Sequence, residues 1–411
     1  MKERLKAPEL RFPGFTDDWE ERKLKELGDI QTGNTPPTSD SDNYSLDGVL
    51  WVTPTDIKSL VISNTAKKLS QVGVTKARIA KAGSILVTSI ASIGKNTLLR
   101  MDAGFNQQIN SLTPTSENDS YFLLTQSEKW SEKMKQTAAS ATMQIVNKTD
   151  FSNISTYVPV HKEEQEKIGS FFKQLDDTIA LHQRKLDLLK EQKKGYLQKM
   201  FPKNGSKIPE LRFEGFTDDW ELRKFGEMLV NLEAGVSVNS SDYDTGYFIL
   251  KTSAIKMGNI DLLEVKSIVS EEVARAKTPL IKNSIIISRM NTPELVGASG
   301  LVRESIDNIF LPDRLWQGQV AGNFSPEWLI QSINIAANIK KIRDLATGTS
   351  GSMKNISKKS MLDLIINIPT LEEQQKIGSF FKQLDDVIAL HQLKLDLLKE
   401  QKKGFLQKMF A

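Results

Sequence analysis

Apolar side chains recur with alternating steps of four and three residues in two separate stretches of the chain. The first stretch begins at Ile168 and ends at Met200, and the second begins at Ile377 and ends at Met409. This spacing is typical of the a and d positions of a coiled coil, and no proline interrupts either stretch. Each stretch therefore predicts one helix of about 36 residues, roughly 54 Å long. The central positions of the two predicted seams are Leu175, Ile179, His182, Leu186, Leu189, Leu384, Ile388, His391, Leu395 and Leu398.

The two predicted helices belong to a larger internal repeat. Residues 163–201 and 372–410 are identical at 35 of 39 positions, and residues 8–24 match 209–225 at 14 of 17. A period of roughly 200 residues indicates two half-molecules rather than a solenoid, so we expect a pseudo-two-fold axis and an antiparallel pairing of the two helices. The predicted domains are an N-terminal conserved segment (1–24), a first variable domain (25–162), a central conserved region with a long helix (163–208), a repeat segment with a second variable domain (209–371) and a C-terminal conserved helix (372–411).

The variable segments combine short β-type runs with turn residues. Val49–Val52 and Ser84–Val87 predict strands in the first segment, and Tyr247–Leu250 and Ser284–Ile287 predict their counterparts in the second. A more helical stretch follows in each segment, at 119–136 and at 325–345. The pattern therefore predicts an α+β protein with two globular mixed α/β domains joined by the two long helices.

Composition narrows the chemistry of the 411 residues. Cysteine is absent, which excludes disulfides, thiol catalysis and cysteine-ligated metal sites. The histidines are His161, His182 and His391, and the last two fall on the predicted seam, where a polar residue more often fixes register than binds a metal. The sequence has no apolar run of about 18 residues and no apolar stretch behind its N-terminus, so we expect a cytoplasmic protein without a membrane partner.

Positive charge is concentrated in windows, although the net charge of the chain is only +4. Residues 65–100 contain seven basic residues and no acidic one, and residues 339–360 contain six basic residues and one acidic one. Basic windows rich in Ser, Thr, Asn and Gly suit contacts with DNA phosphates, and Arg, Asn and Gln nearby can read base edges. The candidate DNA-binding residues are Lys67, Lys68, Lys76, Arg78, Lys95, Gln107, Gln108, Gln144, Lys148, Arg289, Asn291, Arg314, Gln317, Lys354 and Lys358.

No arrangement in the sequence predicts a catalytic or metal-binding residue. Phosphate-binding glycine motifs are absent, and Glu264-Val265-Lys266 is a weak match to the E-x-K of metal nucleases without a counterpart in the other half. Two alternatives to a DNA-reading protein stay open. One is a coiled-coil adaptor that does not read DNA, and the other is a metal-dependent nuclease with duplicated DNA-binding domains.

The alternation of constant and variable segments resembles the specificity subunit of type I restriction–modification systems, and the resemblance covers essentially the whole chain. Motifs of both variable domains and of the junctions before the helices contribute to it. These motifs are Lys81–Val87, Phe105–Ile109, Ser288–Gly297, Phe310–Trp316, Pro159–Ile168 and Pro369–Ile377.

The resemblance implies a recognition subunit that is not itself an enzyme. Each variable domain would be a target-recognition domain that reads one half of a bipartite, asymmetric site in double-stranded DNA. The helices would set the spacing and dock two copies of a DNA adenine methyltransferase subunit and, through them, a restriction/translocase subunit. No cofactor is expected on this chain. S-adenosylmethionine would belong to the methyltransferase partner, and ATP and Mg to the restriction partner.

Overall fold

The computed structural model describes residues 7–139, 145–203, 205–348 and 353–410. These residues divide into two compact units. Unit 1 combines the chain up to Gln183 with the residues from Leu393 onward, and unit 2 runs from Arg184 to Gln392. The boundaries between the units fall within the two long helices, so each unit contains one variable segment and part of both helices.

Unit 1 is built on two five-stranded sheets. Its strands are β1 (Glu20–Lys23), β2 (Gly28–Thr32), β3 (Tyr44–Ser45), β4 (Val49–Val52), β5 (Val61–Ile62), β6 (Lys67–Leu69), β7 (Ile79–Ala80), β8 (Ile85–Thr88), β9 (Asn96–Leu99), β10 (Ala103–Phe105), β11 (Ile109–Pro114) and β12 (Ser155–Val158). One sheet has the order β3-β6-β4-β10-β7, the other has the order β2-β11-β8-β9-β5, and β1 pairs with β12. Every residue of β8 is buried, because this strand lies inside its sheet with side chains packed on both faces.

Helices cover the sheets of unit 1. They are α1 (Leu24–Leu27), α2 (Gln71–Lys76), α3 (Ser120–Ala139), α4 (Lys148–Ser152) and α5 (Lys162–Lys199), whose last turns lie in unit 2. The predicted helical stretch at 119–136 corresponds to α3, and α3 packs Phe122 and Trp130 into the core at 0% exposure.

Unit 2 repeats the two-sheet plan with four strands in each sheet. Its strands are β13 (Glu221–Lys224), β14 (Glu233–Ala234), β15 (Phe248–Leu250), β16 (Val265–Ser267), β17 (Pro279–Leu280), β18 (Ser284–Ser288), β19 (Met290–Asn291), β20 (Ser299–Leu301), β21 (Ile306–Phe310), β22 (Leu315–Gln319), β23 (Lys354–Asn355) and β24 (Ile365–Ile368). The larger sheets have the orders β14-β22-β18-β20 and β16-β15-β21-β17, and β13-β24 and β19-β23 form pairs.

The helices of unit 2 include one departure from the predicted pattern. They are α6 (Pro326–Asn334), α7 (Ala336–Asp344), α8 (Lys358–Leu362) and α9 (Leu371–Met409). The stretch 325–345 forms two helices because Ile335, between α6 and α7, is extended. At about 100° per residue, one continuous helix would turn Ile339 and Ile342 away from the face that carries Leu329 and Ile333. The break lets both apolar faces enter the same core.

The long helices run antiparallel within each unit. In unit 1, Phe171 of α5 contacts Phe405 of α9 with ring centroids 5.0 Å apart, and Asp176 is 2.7 Å from Lys402. Residue numbers rise along one helix as they fall along the other, and α5 and α9 show the same reversal in unit 2. The α+β fold with an antiparallel helix pair is therefore confirmed.

The predicted seam positions differ in how deeply they are buried. Leu186, Leu189 and Leu395 are buried. The other seven positions are half-buried, and they are Leu175, Ile179, His182, Leu384, Ile388, His391 and Leu398. None of the helices that the structure describes is long and apolar enough to cross a membrane.

Candidate nucleic-acid interface

The two units share the same pattern of backbone hydrogen bonds, called the frame below. At the end of β8, the Ser89 N–H donates to the Gln108 carbonyl (2.8 Å), and the Val146 N–H donates to the Ser89 carbonyl (3.0 Å). At the end of β18, the Arg289 N–H donates to the Arg314 carbonyl (3.1 Å), and the Ile356 N–H donates to the Arg289 carbonyl (2.9 Å). Ser89 and Arg289 therefore occupy equivalent positions, and so do Gln108 and Arg314.

The same frame makes Lys148 and Lys358 equivalent. Each is the first residue of a short helix, two positions beyond the residue that donates to β8 or β18. The helix starts are capped alike, because Asn147 accepts a hydrogen bond from the Asp150 N–H and Ser357 accepts one from the Ser360 N–H, both at 3.0 Å. Both lysines are exposed. Candidates that are far apart in the sequence are thus brought to one end of the sheet in each unit.

In unit 2, Arg289, Ile356 and Lys358 of this frame line an open cleft of about 610 Å³. Arg289 and Trp316 form part of its wall, and the guanidinium lies 5.8 Å from the centre of the Trp316 ring. The Arg289 Nε is buried, and no acceptor for it is present in the described part of the chain. The cleft carries three basic side chains and one carboxylate, from Lys277, Arg289, Lys358 and Glu233. Its charge therefore suits a polyanion.

Sequence reasoning did not single out two residues of this cleft. Trp316 ends the Phe310–Trp316 motif but has no chemistry that suggests DNA binding, and Thr278 belongs to no motif. Thr278 has a φ of +64°, a backbone region that β-branched residues rarely adopt. Its hydroxyl donates to the Ala234 carbonyl at 3.2 Å. A φ angle depends on the tertiary structure around it, so no pattern in the sequence could have revealed this position.

Some of the predicted cations of unit 1 already donate hydrogen bonds within the protein, and others do not. Lys76 Nζ lies 3.1 Å from the Asp40 carboxylate and donates to Asn43 at 2.8 Å. The hydrogen bond from Lys76 holds the pKa of Asp40 below its ordinary value. Arg78 donates through Nη1 to the Thr32 carbonyl. Lys67 and Lys95 are exposed, whereas Lys68 is half-buried, and no acceptor for these three ammonium groups is present in the described part of the chain.

Most of the polar candidates in unit 2 have internal contacts. The Asn291 side chain donates to Ser288 (3.0 Å) and accepts from the Thr292 N–H (2.9 Å), so it stabilises the loop after β18. Lys354 Nζ donates to the Gly348 carbonyl at 3.3 Å. Arg314 is exposed.

One candidate has to be withdrawn. Gln317 is 4% exposed, its Nε2 donates to the Pro279 carbonyl (2.9 Å) and its Oε1 accepts from the Ile281 N–H (3.2 Å). The expectation that Gln317 reads a base is wrong in this conformation, because both ends of its amide stabilise the fold. In unit 1, Gln107 is exposed and accepts a hydrogen bond from Thr35, and Gln108 is half-buried. Gln144 lies outside the described residues.

The weak nuclease motif does not gather metal ligands in the described part of the chain. The Glu264 carboxylate accepts hydrogen bonds from Ser253 (2.9 Å) and Lys251 (3.3 Å), and these contacts lower its pKa. The described residues contain no group of three side chains able to hold a metal ion together.

A comparison with protein families finds a duplication as well, with one match in each half of the chain. The model of the type I restriction modification DNA specificity domain matches residues 16–191 and again residues 217–400. The chain belongs to this family. Each match contains one variable segment and most of the long helix that follows it. The family repeat therefore has the same period as the sequence repeat.

The chain is similar in sequence to individual members of the family over part of its length. It is 23% identical to the type I restriction enzyme EcoKI specificity subunit of Escherichia coli strain K12 over 63% of the chain and 57% of that relative. It is 26% identical to the MjaIX specificity subunit of Methanocaldococcus jannaschii over 42% of the chain and 41% of that relative. The chain thus spans about half the length of these relatives. The crystal structure of an S subunit from M. genitalium has the same fold, with a TM-score of 0.67, 14% identity and coverage of 98% of this chain and 99% of that one.

Proposed function

We propose that this chain is the DNA-specificity subunit of a type I restriction–modification complex. Each unit would act as a target-recognition domain and read one half of a bipartite, asymmetric DNA site. The observation that carries the proposal is the shared frame around Ser89 and Arg289, where the backbone is the same and the side chains differ. A common frame suits the common shape of the duplex, and different side chains suit different base sequences.

The side chains at this frame suit two kinds of DNA contact, one with phosphates and one with bases. Lys148 and Lys358 are exposed cations at equivalent positions, so they suit phosphates, which are present at every nucleotide. Arg289 and Arg314 in unit 2 replace Ser89 and Gln108 in unit 1, so these pairs suit the bases, which differ between half-sites. Catalysis would come from partners, namely a methyltransferase that binds S-adenosylmethionine and a restriction subunit that uses ATP and Mg.

The constant helices would dock the methyltransferase subunits. Each copy of the helix leaves the same two leucines exposed, and seven residues separate them along one face. Leu181 and Leu188 are 60% and 53% exposed in the first copy, and Leu390 and Leu397 are 65% and 56% exposed in the second. The same exposed leucine pair on both copies suits two copies of one partner.

The experiment that tests this function compares adenine methylation across the genome in cells with and without the gene, in the presence of its methyltransferase partner. We expect a split, asymmetric motif that depends on the gene. A matched variant in which Lys148 and Lys358 are both replaced by alanine should weaken methylation of every site without changing the motif. If no motif depends on the gene while the helices still bind a partner, the chain is an adaptor. Mg-dependent cleavage by the purified chain would instead indicate a nuclease.

A further inference from the structure

We propose that Arg289, positioned by Trp316, selects a guanine in the half-site that unit 2 reads. This inference rests on the proposed function and makes it more specific, since it assigns one base-reading residue and one positioning residue. Arginine contacts guanine through two parallel hydrogen bonds to O6 and N7, and the planar guanidinium must be held in the correct orientation to form both.

The structure restrains Arg289 at both its backbone and its side chain. Its N–H and carbonyl are both hydrogen-bonded, to Arg314 at 3.1 Å and Ile356 at 2.9 Å, and its guanidinium lies over the Trp316 ring. Trp316 is 3% exposed and pairs with Ile287 of β18, so the ring is itself fixed by the sheet. An arginine held in this way loses little side-chain freedom when it binds, and this favours geometric selectivity over simple charge attraction.

A comparison with unit 1 favours a base over a phosphate as the ligand of Arg289. In unit 1, Ser89 takes the place of Arg289, and Asn110 takes the place of Trp316 in the equivalent strand register. The Asn110 amide is used internally, donating to the Val146 carbonyl (3.2 Å) and accepting from Thr32 (2.6 Å). The DNA backbone is chemically the same at both half-sites, so a phosphate contact would be expected in both units. The arginine and its aromatic support are present in one unit only.

The surroundings of the pair fit a recognition cleft. Lys277 and Lys358 are exposed at the same cleft, where they suit the phosphates on either side of a contacted base. Thr278, in its unfavourable backbone conformation, forms part of the wall. Residues held in such conformations occur often at binding sites, because the surrounding fold must maintain them. Exposed cations and a backbone conformation that the fold must maintain therefore occur together at the cleft that Arg289 lines.

The test uses the complete complex with its methyltransferase partner and begins with the motif of the unaltered chain. We compare Arg289→Lys, which keeps the charge and removes the planar fork, with Trp316→Phe and with Lys358→Ala. Arg289→Lys should relax selectivity at one guanine of one half-site by about 10-fold or more, and the other half-site should stay unchanged. Trp316→Phe should relax the same position by a smaller factor. Lys358→Ala should weaken binding to all sequences alike.

A second measurement separates base reading from a structural effect. Replacing that guanine by 7-deazaguanine removes its N7 acceptor, so the unaltered complex should bind about 10-fold more weakly, while the Arg289→Lys complex should show little further loss. If Arg289→Lys keeps full selectivity, or if it weakens all sequences equally and lowers the salt dependence, this inference is wrong although the proposed function stands. If the unaltered chain produces no motif of its own, the proposed function fails first.

Discussion

Arg11 holds the fully buried carboxylate of Glu164 through two parallel hydrogen bonds of 2.6 and 2.8 Å. Arg212 holds Glu373 in the same way, with two bonds of 2.8 Å, so the relationship is duplicated along with the sequence. Each pair ties the constant segment before a variable domain to the first turns of the helix that follows it. The hydrogen bond to Glu164 also raises the pKa of Arg11, so the guanidinium stays charged at any ordinary pH.

Arg11→Met should destabilise the protein strongly. The substitution leaves Glu164 buried without its counter-charge, and breaking a buried pair from one side costs about 3–5 kcal/mol. The free energy of unfolding, measured with urea on the full chain, checks this value. Arg22→Met is the matched control, because Arg22 pairs with Glu20 at the surface, where ion pairs contribute little. Equal effects of the two substitutions would contradict the prediction, whereas the double change Arg11→Met/Glu164→Met should recover most of the loss.

Lys402→Met should weaken the packing of the two helices in unit 1. Lys402 is 2.7 Å from Asp176, both side chains are less than one-fifth exposed, at 17% and 11%, and Asp176 also accepts a hydrogen bond from the Tyr121 hydroxyl at 3.0 Å. Removing the ammonium leaves a poorly solvated carboxylate, so we expect a loss of about 1–3 kcal/mol in the free energy of unfolding. Lys173→Met, which removes an exposed partner of Asp177 on the same helix, should change it little. A larger effect at Lys173 would refute this account of the seam.

The helices illustrate how much of the fold the sequence predicts. Steps of four and three identify both long helices and their apolar faces, because that signal depends only on residue spacing. Four residues beyond Leu189 and Leu398, the same spacing puts Lys193 and Lys402 on the seam, but spacing alone does not identify their partners. Their carboxylate partners, Asp385 and Asp176, belong to the other helix, so only the register of the pair brings them together.

In the candidate site, too, the sequence predicts some of the residues but not the contacts between them. The basic window at 339–360 predicted Lys358, and Arg289 was predicted as a residue able to read a base edge. Both residues line the cleft beside the shared frame. Gln317 has the right chemistry for base reading, but its strand turns it into the fold. Trp316 matters because β22 pairs with β18, and strand pairing across 28 residues is not visible in residue spacing.

If the proposed function is right, Leu181→Glu and Leu390→Glu should each reduce docking of the proposed methyltransferase partner and leave the chain folded. Both leucines are more than half exposed, so the substitutions remove little buried apolar area from the fold, and surface changes of this kind usually alter stability by less than about 0.5 kcal/mol. Each substitution should lower the number of partner subunits bound, measured by sedimentation or native mass spectrometry. Leu263→Glu is the control, since Leu263 is 91% exposed in the turn before β16 and lies on neither long helix. Full docking by the Leu181→Glu/Leu390→Glu double variant would exclude these faces as the docking site.

Lys95→Ala and Lys76→Ala should affect DNA binding differently, because Lys95 is accessible to DNA whereas Lys76 is held in an internal ion pair. Lys95 is exposed, so its loss should weaken binding to all DNA sequences and reduce the slope of affinity against salt by about one. Lys76 is already bound to Asp40 and Asn43, so its loss should change the salt slope less. Binding titrations at several salt concentrations, with the whole complex, check both expectations, and equal slopes for the two variants would contradict them.

The Lys76 variant has a second readout that does not depend on DNA. Because Lys76 lowers the pKa of Asp40, the pair stabilises the fold above the ordinary carboxyl pKa of 3.8, and this contribution is lost as the pH falls through the lowered value. In Lys76→Ala the pKa of Asp40 should rise toward 3.8, which a carboxyl titration followed by NMR would detect. Lys95→Ala should leave that titration unchanged. A pKa of Asp40 that stays low without Lys76 would show that the backbone N–H of Asp42, rather than the ammonium, holds the charge, and it would contradict this account of the Lys76–Asp40 pair.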